Sequence, residues 1–321
     1  MGYGEAYNVA IELDMRRLRA VNEGTTDCAP ATGPPAETLS ELATRLSRAS
    51  VAKYWNVYER IAWPEALERA GWFMPPELIS LHGTARFAEL DEAARQRLSF
   101  YELVNFFSLT LHGERPLVQG LCNQMYSRQN REVTNYIHHF LDEENKHMVM
   151  FAAFCERYAG RVYPQKKLPL PKSFAPGEED VTFFIKVLVV EELGDWYNVA
   201  IARDARAHPL AREINTIHHR DEARHIIFGK RLLAELFAQV APKWSPETLA
   251  GLRAWLGAYL RASWADFYNP AMYRDAGIAD AYEAREAALA SPVTAEFRAR
   301  VSQKLVGYFL ETGILEEVPA L

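Results

Sequence analysis

The sequence predicts an all-α protein built around a bundle of four helices. Several long stretches repeat apolar residues at the three- and four-residue spacing of an amphipathic helix, and no stretch has a convincing strand pattern. Two of the helical stretches contain the same Glu-x-x-His motif, beginning at Glu144 and at Glu222. Glu114 precedes the first motif by 30 residues and Glu191 precedes the second by 31, separations that fit two antiparallel helices joined by a short turn.

The composition is that of an ordinary globular protein. The chain has 321 residues, of which 49% are hydrophobic, so it can bury a sizeable core. Its net charge of -6 argues against nucleic acid as the main partner. The apolar runs are too short to cross a membrane and no signal-peptide pattern opens the chain, which predicts a soluble, cytoplasmic protein. Among the cysteines, Cys122 and Cys155 lie in apolar helical stretches and are expected to be buried free thiols.

Residues 1–36 are predicted to form an N-terminal arm and loop, and residues 37–321 a single helical domain. Leucines repeat on one helix face over residues 39–46, and residues 54–61 predict a second short helix that ends at Pro64. Three tryptophans in this region are expected to pack over the bundle rather than to contact a cofactor: Trp55, Trp63 and Trp72.

The two halves of the bundle have recognisable ends. The first half is predicted to start near Asp91 and to kink at Pro116, and the second to start near Glu178 and end near Gln239. The turns inside the two halves are predicted over residues 127–131 and 205–209.

The bundle also needs a connection between its halves. Residues 163–177 carry four prolines and are predicted to cross from one half to the other within a single domain. After the bundle, Ser245 and Ser291 each precede a proline, the pattern of a helix N-terminus, so two further helices follow.

Titratable groups lie on one face of each motif helix. His218, Glu222 and His225 have the i, i+4, i+7 spacing of a single stripe, and Glu144 and His147 repeat the last part of that pattern. Such groups are costly to bury in apolar helices unless something binds them, and a metal ion is the simplest occupant. Four inward glutamates with two Glu-x-x-His motifs form the site of ferritin-like di-metal carboxylate bundles. We therefore expect a ferritin-like four-helix bundle with extra N- and C-terminal helices.

Two of the glutamates have rivals. Glu102 belongs to the same predicted helix as Glu114 but lies 42 residues before Glu144, a poor match to the spacing of the second half. Glu192 is the neighbour of Glu191 and is disfavoured on spacing alone.

Acidic and histidine residues also flank the motifs. Glu143 and Asp221 each precede a motif glutamate and could accept the free N–H of a metal-binding histidine, which would fix its tautomer; a structural ion pair is the alternative. The other histidines nearby, His138, His139 and His219, are expected to be exposed or satisfied within the core.

Four segments together resemble the non-heme di-iron N-oxygenases typified by p-aminobenzoate N-oxygenase. These segments are S-F-Y-E-L-V-N-F-F-S-L-T-L-H-G-E, H-F-L-D-E-E-N-K-H, V-V-E-E-L and H-H-R-D-E-A-R-H, and the resemblance covers residues 98–230. It implies a third histidine ligand four residues before the last glutamate, a position that His218 matches. The metal ligands that it implies are Glu114, Glu144, His147, Glu191, His218, Glu222 and His225.

The resemblance also implies a reaction. Two iron ions would activate O₂ to oxidise the nitrogen of an arylamine toward hydroxylamine, nitroso or nitro in natural-product biosynthesis, although the ligand types also suit manganese. The late arginines Arg298 and Arg300 are the implied candidates for binding a substrate carboxylate, with a solvated helix face as the alternative. No flavin or nicotinamide fingerprint is present, so an external electron donor is expected, and the expected assembly is a homodimer.

Two other functions would use the same fold. A di-iron enzyme could hydroxylate or desaturate carbon instead of nitrogen, and a non-catalytic protein could store metal. The chain is much longer than a storage subunit requires, which favours an enzyme.

Overall fold

The structure is a computed structural model that describes residues 37–127, 130–164 and 174–321. The predicted N-terminal arm and loop, Cys28 and most of the predicted crossover lie outside these ranges. Within them the secondary structure is helical, with an isolated bridge between Trp72 and Ala207 and no strand. The segment Thr38–Leu321 forms one compact unit.

The helices follow the chain in the predicted order. They are α1 (Leu39–Ala52), α2 (Ala85–Glu89), α3 (Glu92–Gln124), α4 (Thr134–Ala159), α5 (Glu178–Arg203), α6 (Pro209–Val240), α7 (Pro246–Phe267), α8 (Pro270–Asp275), α9 (Ala281–Ala290) and α10 (Pro292–Glu311). Helices α3 and α4 form one closely packed pair and α5 and α6 the other, and α1 packs across α4 and α6. The four-helix bundle with additional helices before and after it is therefore confirmed.

Local capping explains where the helices start. Asp91 accepts a hydrogen bond from the Ala94 amide at the start of α3, and Ser245 does the same for Thr248 at the start of α7. Pro209 opens α6, where its missing N–H is tolerated. The predicted starts near Asp91, Glu178, Ser245 and Ser291 are confirmed within a residue or two.

Other local predictions were wrong. The short helix predicted over residues 54–61 is absent, because the Asn56 side chain and carbonyl accept amide hydrogen bonds from the next residues and close turns instead. Helix α3 continues past Pro116 for two more turns to Gln124, and the kink predicted there stays a prediction. Cys155 is buried as expected, but Cys122 is exposed.

Helices α3 and α5 approach each other closely at two glycines. A Cβ atom on Gly113 would lie 2.6 Å from Val190 Cγ1, and one on Gly120 would lie 2.1 Å from Phe183 Cε2. No side chain fits at either position without movement of its neighbour. This close approach holds the α3 residue Glu114, adjacent to Gly113, against the second helix pair.

No helix in the described part of the chain has both the length and the apolar character needed to cross a membrane.

Candidate metal centre

The two Glu-x-x-His motifs meet in the middle of the bundle. Helices α4 and α6 bring Glu144, His147, Glu222 and His225 together, each with no exposed surface. Three more predicted residues complete the cluster and are at most 3% exposed: Glu114 from α3, Glu191 from α5 and His218 from α6. The seven side chains are called the seven-residue cluster below.

On one side of the cluster, two histidines face the same carboxylates. His147 Nδ1 lies 3.2 Å from Glu222 Oε1, 3.6 Å from Glu144 Oε2 and 3.9 Å from Glu114 Oε1. His218 Nε2 lies 2.8 Å from Glu222 Oε1 and 3.5 Å from Glu114 Oε1. Glu114, His147 and His218 can each offer one donor atom within 4.8 Å of the others.

On the other side, His225 Nδ1 lies 2.7 Å from Glu144 Oε1 and 3.2 Å from Glu222 Oε2. Glu144 and Glu222 thus each direct one oxygen toward His147 and the other toward His225. Glu191 lies beside Glu222, and burial together with the charges of Glu222 and Glu144 raises the pKa of Glu191 well above its ordinary value. Glu144 and Glu222, whose two oxygens face opposite sides of the cluster, are the carboxylates suited to bridging two metal ions.

The cluster leaves buried polar atoms without hydrogen-bond partners. These atoms are both carboxylate oxygens of Glu114 and of Glu144, Glu191 Oε1, Glu222 Oε1, His147 Nδ1 and His218 Nε2. Orphaned buried donors and acceptors are rare in folded proteins because each costs ~1–3 kcal/mol. Four carboxylates in one dry interior also repel each other, and two divalent cations would remove both costs. The residues therefore fit a pair of metal ions.

Two of the cluster histidines contact an acid through the ring nitrogen that faces away from the cluster. Asp221 Oδ2 lies 3.2 Å from His147 Nε2, and Glu143 Oε2 lies 2.9 Å from His225 Nε2. Each acid thus faces the histidine of the other motif. With Nε2 protonated, each imidazole donates to its acid and keeps the Nδ1 lone pair toward the cluster interior.

One arginine joins the two acids. Arg224 Nη2 donates to Glu143 Oε1 and to Asp221 Oδ1, both at 2.5 Å. Burial alone would raise the pKa of each carboxyl, but the hydrogen bonds from the histidines and the charge of Arg224 hold both pKa values below the ordinary range. Glu143 and Asp221 therefore have both roles that the sequence suggested. Each faces a histidine of the cluster, and each forms a buried ion pair with Arg224.

Asn198 faces the remaining histidine of the cluster. Its side-chain Nδ2 lies 2.7 Å from His218 Nδ1, and its buried Oδ1 has no hydrogen-bond partner. A 180° rotation of the amide would bring Oδ1 to the ring, where it would accept the Nδ1 proton and leave the Nε2 lone pair directed at Glu114 and Glu222.

The two rival glutamates lie elsewhere. Glu102 accepts hydrogen bonds from the amide and hydroxyl of Ser80, whose hydroxyl lies 2.6 Å from the Tyr273 hydroxyl. Glu192 pairs with Lys230 and lies 3.5 Å from Lys304. The structure therefore brings Glu114 and Glu191, rather than their rivals, to the histidines.

The three flanking histidines also stay outside the cluster. His138 is exposed and lies 2.9 Å from the Tyr126 hydroxyl, His219 lies 2.6 Å from Asp195 Oδ1, and His139 is half-buried between α1 and α4.

Of the two late arginines, Arg300 agrees with the solvated helix face and Arg298 agrees with neither sequence interpretation. Arg298 is buried, not solvated, and donates to the Tyr268 hydroxyl, Thr294 Oγ1 and the carbonyls of Leu289 and Leu321. These bonds occupy the guanidinium within the C-terminal packing, so it is not free to hold a substrate. Arg300 is exposed and lies over the ring of Phe297.

Sequence reasoning missed three residues that touch the cluster or its partners. Trp55 was expected only to pack, but its ring stacks on His147 and its Nε1 donates to Asp221 Oδ2 at 2.9 Å. Nothing local could have shown this, because Trp55 lies in a loop 166 residues from Asp221. Asn198 and Arg224 could have been found, since Asn198 follows Glu191 by seven residues on one helix face and Arg224 follows Asp221 by three.

The comparisons with known proteins extend over most of the chain. The family model described as p-aminobenzoate N-oxygenase AurF matches residues 36–313. Uncharacterized proteins of Mycobacterium bovis and Mycobacterium tuberculosis are 30% identical over 213 residues, which is 62% of this chain. The chain thus spans 61% of the length of these relatives.

Solved structures show a more distant similarity. A mutant R2-like ligand-binding oxidase with a reconstituted Mn/Fe cofactor is 16% identical, with a TM-score of 0.43 over 89% of this chain and 96% of that one. The R2-like ligand-binding oxidase from Sulfolobus acidocaldarius is 13% identical, with a TM-score of 0.38 over 92% and 97% of the two chains.

Proposed function

Because the chain belongs to the p-aminobenzoate N-oxygenase family, we propose that it is a di-iron oxygenase that oxidises the nitrogen of an arylamine. The observation that carries this proposal is the seven-residue cluster, in which most of the buried donor atoms have no hydrogen-bond partner. The proposed reaction belongs to the biosynthesis of a natural product with an oxidised nitrogen. The cytoplasmic location and the homodimer expected from the sequence stay predictions.

The positions of the seven residues support a division of the proposed ligands between two ions. Glu114, His147 and His218 would hold one ion, and Glu191 and His225 the other. Glu144 and Glu222, which each direct their two oxygens to opposite sides, would bridge them. When bound in the ferrous state, the pair supplies electrons and open coordination positions for the reduction of O₂.

The chain's own residues keep this site ordered and dry. Asp221, Glu143 and Asn198 orient the three imidazoles, and Arg224 fixes the two acids relative to each other. Apolar rings exclude water around the histidines: Phe140 stacks on His225 at 3.9 Å between ring centroids, and Phe151 meets His218 edge-on at 4.9 Å. A site preorganised in this way spends little free energy on rearrangement during the reaction.

The overall reaction needs a source of electrons. Insertion of one oxygen atom from O₂ into an N–H bond gives the hydroxylamine, and the second oxygen atom leaves as water after uptake of two electrons and two protons. The proposed source of these electrons is a separate reductase or a small reductant.

Anaerobic loading with ferrous iron, followed by addition of p-aminobenzoate, a reductant and O₂, tests the proposal. We expect about two irons per chain by metal analysis and a hydroxylamine, nitroso or nitro product by mass spectrometry. The matched variant Glu222→Ala removes a bridging carboxylate and is expected to lose iron and product together. Iron that is oxidised and retained without any amine product would instead indicate storage, and oxidation at a carbon atom would indicate a hydroxylase.

A further inference from the structure

A cavity of about 190 Å³ lies beside the seven-residue cluster, between α3, α5 and α7. Of the cluster residues, Glu191 lines it. The buried part of its wall is mostly apolar and includes Phe106 and Leu193, with the polar Thr110 beside them. The half-buried Lys186 and Asp266 line its more exposed part. If the proposed function holds, this cavity is where an amine would reach the metal ions.

The volume of the cavity limits the size of the ligand that it can bind. An apolar cavity of about 150 Å³ is known to hold benzene, whereas pockets for drug-sized ligands have about 300 Å³ or more. A cavity of about 190 Å³ therefore matches one aromatic ring with small substituents better than two fused rings. Aromatic side chains from all three helices line it, which suits a flat ring: Phe106, Phe183, Tyr259 and Phe267.

A larger groove of about 430 Å³ lies between α1 and α4. None of the seven cluster residues lines this groove, so it is not a competing route to the proposed metal ions.

Gly194 keeps the cavity beside Glu191 open. It is buried in the interior of α5, three residues after Glu191, and it lines the cavity. A Cβ atom built at Gly194 would meet no atom within 4 Å, so the empty space at this position belongs to the cavity. Two other helix glycines differ, because a Cβ on Gly113 would meet Val190 at 2.6 Å and one on Gly229 would meet Leu188 at 3.1 Å. Those two glycines permit close packing, whereas Gly194 leaves a void.

A glycine inside a helix normally destabilises it relative to alanine. At Gly194 neither close packing nor an unusual backbone conformation requires glycine, since the position is helical and has free space around it. A side chain at this position would therefore occupy the volume of the cavity instead of displacing a neighbouring residue.

We propose that Gly194 determines the size of the substrate, and that the cavity it leaves open receives a single-ring aromatic amine with its nitrogen toward Glu191. This proposal rests on the proposed function for the identity of the reaction, but ligand binding to the cavity is measured without turnover.

The test compares Gly194→Leu with Gly251→Leu. Gly251 lies on the exposed face of α7, also has no atom within 4 Å of a built Cβ, and does not line the cavity, so it is the matched control. Binding of aniline, p-aminobenzoate and the two-ring 6-amino-2-naphthoate is measured by calorimetry on the anaerobic, iron-loaded proteins, together with iron content and KM.

We expect the wild type to bind at least one single-ring amine and to reject the naphthoate. Gly194→Leu should weaken single-ring binding and raise KM at least tenfold with unchanged iron content, and Gly251→Leu should change neither. Gly194→Ala should weaken binding less than Gly194→Leu does and should melt at the same or a higher temperature.

Three outcomes would overturn the proposal: binding to Gly194→Leu that equals wild-type binding, naphthoate binding as tight as that of the single ring, or a wild type that binds neither single-ring amine. A wild type that binds the ring but never oxidises its nitrogen would contradict the proposed function alone. Oxidation that continues unchanged in Gly194→Leu would contradict the role of Gly194 alone.

Discussion

The hydrogen bond between Asp221 and His147 controls which imidazole nitrogen faces the cluster. We expect Asp221→Asn to lower iron affinity about 10- to 100-fold, the usual effect of losing the acid behind a metal-binding histidine. Competition with a chelator measures the affinity. Asp195→Asn is the control, because Asp195 holds His219 in the same way at a half-exposed position outside the cluster. Equal iron affinity in the two variants would show that Asp221 does not orient His147.

A second residue, Glu102, makes stability depend on pH. Burial raises its pKa to about 8, even though hydrogen bonds from Ser80 favour the charged form. Because the folded pKa lies above the ordinary value of 4.5, the stability that Glu102 contributes is fully present below about pH 4.5 and is lost as the pH rises through about 8.

Urea unfolding of the wild type and Glu102→Gln at a series of pH values measures this effect. The wild type should lose stability relative to the variant between about pH 5 and pH 9, because the neutral amide has no proton to release. A difference that stays constant over this range would mean that Glu102 does not titrate with the raised pKa.

Single residues also show where sequence reasoning succeeds. The helical spacing of Glu114, Glu144, Glu191 and Glu222 was enough to predict that four carboxylates share one interior, and the structure brings them together. Their role as metal ligands stays a prediction. The burial of Arg298 was not predictable, because it depends on Tyr268 and the chain's C-terminal residue, which no periodic pattern connects to α10.

At the scale of helices, the contact between α3 and α5 depends on Gly113. We expect Gly113→Ala to destabilise the fold by ~1–3 kcal/mol, because the new methyl group would overlap the stiff side chain of Val190. Denaturant unfolding measures the change. Gly251→Ala has no such neighbour and should stabilise its exposed helix by ~0.5–1 kcal/mol. Stabilisation of the same size in both variants would mean that the two helices are not in close contact at Gly113.

The ends of the helices show why some helix boundaries could be predicted from the sequence and others could not. Capping is decided by a few neighbouring residues, so the starts at Asp91 and Ser245 could be recognised from the sequence. The start of the segment after α1 could not be predicted, because its apolar residues Val57 and Ile61 have a helical spacing and are buried in the core without forming a helix. The hydrogen bond that the Asn56 side chain accepts from the Tyr58 amide closes the turn instead.

For the whole molecule, the seven-residue cluster links metal binding to stability. Without cations, four buried carboxylates face each other with unsatisfied oxygens, so removal of metal should lower the melting temperature. At a free ferrous concentration 100 times Kd, binding at one site adds ~2.7 kcal/mol to the free energy of unfolding. Scanning calorimetry of chelated and reloaded protein tests this, and an identical melting temperature in both states would argue against a metal-binding role for the cluster.

The crossed pairing of acids and histidines makes the two halves of the molecule mutually dependent. The histidine on α4 takes its acid from α6, and the histidine on α6 takes its acid from α4. Neither helix pair alone therefore supplies the acid that its own imidazole needs. Any change that moves one pair away from the other would remove the acid partners of both histidines at once.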